Sequence, residues 1–160
     1  MGHEFIIFKR ASAVSTDIQE IENVKRNLFK YQEKERIGSG HKFILHPHQL
    51  VLAATIEYIS LPSNLAAYIT GRSTWGRTGR IIATATQIAP GFKGCVTLEL
   101  VNEGEIPLVI YPGLCVAQIV FTTTEGKAKY TGQYKCPTGP EFPKLDKEVE
   151  SLPLSMRPLS

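Results

Sequence analysis

The sequence predicts an all-β body, and three observations carry that expectation. Short runs rich in Val, Ile, Thr, Phe and Tyr recur along most of the chain. Pro and Gly punctuate these runs, notably at Pro62, Pro90-Gly91 and Pro112-Gly113. The runs follow each other closely with no helical pattern between them, which argues for a sandwich, barrel or jelly-roll-like body.

Taken in order, Glu4–Phe8 (EFIIF) is the first predicted strand. Thr16–Glu35 dissents: Ile18, Ile21, Val24 and Leu28 fall at helical spacing, with Thr16 or Asp17 as a cap. A charged excursion between two strands fits that segment as well as a helix does. Lys42–Leu45 and Leu50–Tyr58 are the next strands, divided by the His46-Pro47-His48 turn. Ala66–Thr70, Ile81–Thr84, Cys95–Asn102, Leu108–Tyr111 and Leu114–Phe121 complete the set. A body over residues 1–134 is followed by a Pro-rich, charged tail over 135–160, expected to lie over the body or be partly disordered.

At 160 residues the chain is long enough for one domain with a buried core, and 42% hydrophobic with 21% charged residues is ordinary globular composition. A formal net charge of +3 suits a small anionic ligand but gives no nucleic-acid-binding face. Cys95, Cys115 and Cys136 are far apart and odd in number, so neither a disulfide framework nor a zinc ribbon is expected. No secretory signal pattern opens the chain, and no apolar run approaches the roughly 20 residues that span a bilayer. A cytoplasmic setting without membrane contact is the expectation.

Two segments hold residues suited to chemistry. Gly71-Arg72-Ser73-Thr74-Trp75-Gly76-Arg77 packs two arginines and two hydroxyls between glycines directly after a strand. Guanidinium and hydroxyl groups bind phosphate oxygens, and glycine lets backbone approach a ligand. The same composition also fits a surface turn with solvated arginines. Downstream, the turn Gln87–Gly94 leads into Cys95-Val96-Thr97-Leu98-Glu99-Leu100. Alternation sets Cys95, Thr97 and Glu99 on one face, and Val96, Leu98 and Leu100 on the other. A lone strand glutamate is usually solvated. In a desolvated pocket it is instead suited to proton transfer.

Metal and phosphate-loop motifs are missing. No H-x-E…P-C-x-x-C set exists, so no zinc-type deaminase site is expected. His41, His46 and His48 cluster near the Gly38–Gly40 turn, but no carboxylate or cysteine completes a ligand set. Nor is there a G-x-x-x-x-G-K-[ST] loop or a full dinucleotide fingerprint.

FILHPHQLVLAATIEYISLPSNLAAYITGRSTWGRTGR and ATATQIAPGFKGCVTLELVNEGEIPLVIYPGLCVAQIVF stand in this order. Through these blocks, from about Glu4 to about Gln133, the chain resembles the dCTP deaminase branch of the dUTPase superfamily. The resemblance implies a distorted jelly-roll, β-clip-type fold, a homotrimer, and active sites at subunit interfaces. It implies that Ser73 and Arg77 approach the nucleotide from one subunit, with Arg72 and Thr74 beside them. Glu99 of an adjoining subunit would be the general base and acid, and the backbone at Thr84-Ala85 would help hold the attacking water. Gln87 and Phe92 join the implied substrate-binding set, and Lys129 and Gln133 would close over the triphosphate. Magnesium would ride on the phosphates, with no zinc at the ring. The implied ligands are dCTP as substrate, and dUTP or dTTP as product or inhibitor.

The sequence also departs from the family pattern. Ala89 stands where the superfamily has an aspartate that contacts deoxyribose and supports phosphoanhydride hydrolysis. Arg80 takes a usually apolar place in a stretch about one residue short, and Thr74 and Trp75 replace a serine and a smaller apolar residue. The chain opens near what is normally an internal strand, so the family's N-terminal helical segment is expected to be absent. The Phe121–Lys129 connection is short and lacks a tyrosine. Deamination of dCTP to dUTP is the leading expectation. The alternatives are a dUTPase or bifunctional deaminase–diphosphatase, and a non-catalytic nucleotide-binding trimer.

Overall fold

In a computed structural model of the protein, the residues described are 1–9, 30–82, 87–145, 148, 151 and 153. Among them run β1 (Glu4–Phe8), β2 (Gln32–Arg36), β3 (Phe43–Leu45), β4 (Leu50–Ser60) and β5 (Leu65–Gly71). One helical turn, α1 (Ser73–Gly76), precedes β6 (Arg80–Ile82), β7 (Gln87–Ile88), β8 (Lys93–Asn102), β9 (Leu108–Ile110) and β10 (Ala117–Thr123). The fold is mostly β.

Period-2 patterning dictates the main sheet, ordered β2-β1-β4-β8-β6. Phe5, Val51, Ala53, Leu98 and Leu100 are buried on one face of it. Phe43 and Leu45 of β3, Ile110 of β9, and Ala67 and Ile69 of β5 join them in one core. Phe5 and Phe43 stack with centroids 4.5 Å apart and planes 8° apart. Burial of each such side chain contributes roughly 1.5–3 kcal/mol. The other sheets are β10-β5-β7 and the β3-β9 pair. β5 and β10 pair along their whole length, from Leu65 opposite Thr123 to Gly71 opposite Ala117. That ladder delivers the chain to the α1 turn.

The end of the Thr16–Glu35 segment is a strand, not a helix. Gln32–Arg36 pairs with β1 from Phe8↔Gln32 to Glu4↔Arg36. Cross-strand charge pairs reward that register: Lys9 Nζ lies 2.6 Å from Glu33, and Lys34 and Arg36 each lie 3.5 Å from Glu4. Residues 10–29 lie outside the described residues. Other expected strands shift at their ends. The 114–121 strand starts only at Ala117, because the Leu114 amide turns back to Tyr111 O at 3.1 Å. Of Ile81–Thr84, Ile81 and Ile82 lie in β6, while residues 83 and 84 are outside the described set. Gln87 and Ile88, read as part of a turn, form the short β7 against β5.

Asn102 closes β8 and is fully buried. Its Nδ2 donates to Leu45 O at 3.0 Å and Ile106 O at 2.8 Å, and its Oδ1 accepts from Gly104 N at 3.0 Å. The turn it shapes backs onto Gly79, whose φ is 86°. A Cβ there would lie 2.6 Å from Gly104 N, so both conformation and space demand glycine.

Candidate active site

Glu99 stands on β8 with Leu98 and Leu100 turned the other way into the core. Its neighbour across β4 is Leu52. The face carrying Glu99 is partly covered. Pro137 O accepts from Cys95 N at 2.7 Å, and Thr97 Oγ1 accepts from Glu141 N at 3.3 Å, so residues 137–141 run along β8. Gly94 allows this approach: a Cβ there would run into the Pro137 ring.

Between sheet and roof lies a cavity of about 600 Å³. Leu50, Leu52 and Phe8 make an apolar floor, and Thr97, Glu99 and Glu141 bring polar groups. Phe92 and Tyr130 meet edge to face, centroids 5.4 Å apart, and form one wall. Burial pushes the Tyr130 phenol above its ordinary pKa, so it keeps its proton and can donate at neutral pH. Lys144 Nζ lies 3.3 Å from Glu141 and leaves Glu99 unpaired by it. Among the described residues no lysine or arginine lines the cavity. It therefore suits a neutral, flat, hydrogen-bonding group better than a phosphate.

Of the expected site residues, the cavity gathers Glu99, Gln87 and Phe92, with Ala89 beside them. Arg72, Ser73, Thr74 and Arg77 do not line it. They belong to the α1 turn, reached through β6, where Arg80 pairs with Asn102 at the far end of β8. Lys129 and Gln133 flank the lining residues Tyr130 and Tyr134 without lining it themselves, and Gln133 O accepts from Lys144 Nζ at 3.4 Å. Thr84 and Ala85 lie outside the described residues. Sequence reasoning missed Thr97 as a roof anchor and Glu141 and Tyr130 as lining residues. The alternation that singled out Glu99 already placed Thr97 beside it; nothing comparable marked Glu141. Among the described residues no three His, Cys, Asp or Glu side chains gather to hold a metal, and no helix is long and apolar enough to cross a membrane.

Residues 1–124 match the family model described as "dCTP deaminase-like". The chain belongs to the dCTP deaminase-like family. It is 40% identical over 137 residues to the "dCTP deaminase, dUMP-forming" of Sulfurihydrogenibium sp., covering 84% of this chain and 72% of that one. It is 34% identical over 157 residues to the "dCTP deaminase" of Halorubrum lacusprofundi, covering 94% and 75%. The fold is similar to the crystal structure of 2'-deoxycytidine 5'-triphosphate deaminase from Agrobacterium tumefaciens, with a TM-score of 0.65 at 18% identity. That match takes in 79% of this chain and 38% of the other.

In this dCTP deaminase-like chain Cys95 is buried at the cavity wall, whereas Cys115 and Cys136 are exposed. Burial, and secondarily the charge of Glu57, push the Cys95 thiol up, which depletes the reactive thiolate. With iodoacetamide at pH 8, Cys95 is expected to react roughly tenfold or more slowly than Cys115, as read by peptide mass spectrometry. Equal rates would contradict the burial of Cys95 beneath residues 137–141.

Proposed function

We propose that this chain hydrolytically deaminates the cytosine ring of dCTP, giving dUTP and ammonia, with Glu99 as proton shuttle. The observation that carries this reading is the half-buried Glu99 in a mostly apolar cavity that, among the described residues, has no basic side chain in its lining. Its volume lies in the range of small-ligand sites. The ring enters and the triphosphate stays outside, away from the carboxylates of Glu99 and Glu141.

Water adds to C4 while Glu99 accepts its proton. Glu99 delivers that proton to N3 of the ring, then takes the proton of the new C4 hydroxyl and passes it to the amine, so that the C4–N bond breaks, ammonia leaves and a C4 carbonyl remains. A positioned base of this kind contributes ~10²–10⁴-fold. The backbone of Thr84 and Ala85 steadies the water. Phe92 and Gln87 contact the nucleoside. Ser73, Thr74, Arg72 and Arg77 come from a second protomer and hold phosphate oxygens, which requires the homotrimer of jelly-roll type that the family resemblance implies. Placement of the α1 turn away from the Glu99 cavity within one chain supports such sharing. Lys129 and Gln133 close over the triphosphate, and Mg²⁺ arrives with the nucleotide as part of the substrate. The setting is the cytosol.

A second reading, deamination coupled to diphosphate release, is favoured by the dUMP-forming name of the 40%-identical relative. Ala89 opposes it by placing a methyl group, not a carboxylate, at the cavity mouth. One assay decides: incubate the protein with dCTP and magnesium, and measure ammonia and pyrophosphate. Ammonia alone is expected. Both products would establish the second reading, and neither would overturn both.

A further inference from the structure

Arg80 is only 3% exposed and is the one buried residue of β6, where Ile81 is exposed and Ile82 half-buried; across the strand it faces the buried Asn102. Burial lowers its pKa to about 10, still far enough above neutral to keep it charged. Its Nη2 donates to Val116 O at 2.9 Å, while Nε and Nη1 have no partner among the described residues. A buried charge with unmet donors costs stability, and similar apolar side chains are often better tolerated. The core gains little from this residue.

What Arg80 does touch is the α1 turn. Its guanidinium carbon lies 4.6 Å from the Trp75 ring centroid. Trp75 Nε1 donates to Cys115 O at 3.1 Å, and Arg72 Nη1 donates to the same carbonyl at 3.3 Å. Three side chains thus converge on two successive carbonyls just before β10. Beyond its own backbone bonds and the Thr78 hydroxyl on Trp75 O, the turn has little to hold it: it contains no buried residue, and Arg72 at its start gives no side-chain cap. A four-residue turn without packing of its own is marginal by itself.

We propose that Arg80 is a positioning residue, pinned at Val116 O and stacked on Trp75, that fixes the turn presenting Ser73 and Arg77 to the nucleotide phosphates. The functional half of this statement rests on the deaminase reading; the geometric half does not. Arg stacks on an aromatic plane in a way that Lys does not, so Arg80→Lys keeps the charge and loses the prop.

The test compares the full-length wild type with Arg80→Met. Trp75 is the only tryptophan in the chain, so tryptophan fluorescence reports the surroundings of this one ring. Arg80→Met is expected to make Trp75 at least about twofold more quenchable by acrylamide, and to speed amide exchange in residues 73–78 about tenfold, with β4 and β8 unchanged. The melting temperature should stay within about 2 °C of wild type or rise, because a buried charge is removed. The KM for dCTP should rise about tenfold while kcat changes less than about threefold, and Arg80→Lys should not restore it. A purely structural role predicts the opposite split, with melting temperature and kcat falling together. Unchanged quenching and exchange in Arg80→Met would overturn the proposal. Should that variant not fold, Trp75→Leu removes the same stack from its outer side and must show the same exchange and KM changes. If the wild type turns over no dCTP, the deaminase reading falls, and quenching and exchange alone decide whether Arg80 holds the turn.

Discussion

Glu99→Gln is expected to lower dCTP deamination by ~10²–10⁴-fold while changing nucleotide affinity by less than about threefold. The substitution keeps the shape of the side chain and its ability to hydrogen-bond, but an amide neither takes a proton from water nor returns one to the ring. Leu52 across the strand and Leu98 and Leu100 behind it keep the backbone in place, so the loss is chemical, not structural. Equilibrium binding of dCTP to the variant, measured beside single-turnover ammonia release, separates the two effects. A variant that retains a tenth or more of wild-type turnover would remove Glu99 from the mechanism. One that loses binding and turnover together would instead make Glu99 a recognition group.

The second large effect belongs to Asn102→Leu. Leucine has the same branched skeleton but is bulkier, and it strands two carbonyls, of Leu45 and Ile106, and the amide of Gly104. Each buried group left without a partner costs about 1–3 kcal/mol, and because two of the three bonds are only partly buried a total loss toward the lower end, about 3–5 kcal/mol, is expected. In a chain of this size that lowers the melting temperature by about 10 °C. Differential scanning calorimetry is the direct measurement. Asn102 also positions Gly104 under Gly79, so damage should spread toward the α1 turn more than toward the Glu99 cavity. A variant that melts within about 2 °C of wild type would show that water or relaxed backbone serves those three groups just as well.

The strands that were legible in the sequence are those whose burial follows an alternating or near-continuous apolar pattern. β1, β4 and β8 were legible because Phe5, Val51, Leu98 and Leu100 share one buried face. β2 escaped because QEKER reads as a charged surface stretch, and what makes it a strand is pairing with β1 and the cross-strand charges on Glu4 and Glu33. β7 has only two residues and no period to detect. For Glu99, strand parity gave only the direction it points, because two core leucines fix the opposite face; its role was an expectation of the family resemblance. Its enclosure was not legible. The roof formed by residues 137–141 is irregular chain, joined to β8 among the described residues by one backbone bond and one hydroxyl, and Pro-rich composition carries no signal for where it docks. The Trp75–Arg80 contact was equally silent, since a five-residue separation between an indole and a guanidinium says nothing about stacking.

That irregular roof couples two properties usually treated apart. Sheet and cover come from stretches 44 residues apart, and few hydrogen bonds join them directly. Whatever molecule fills the space between them touches both, and acts as the missing adhesive. Occupancy by a ligand and local order of residues 130–145 then become one equilibrium, in which a tight binder also shields that stretch from proteases and an empty chamber leaves it the first to loosen.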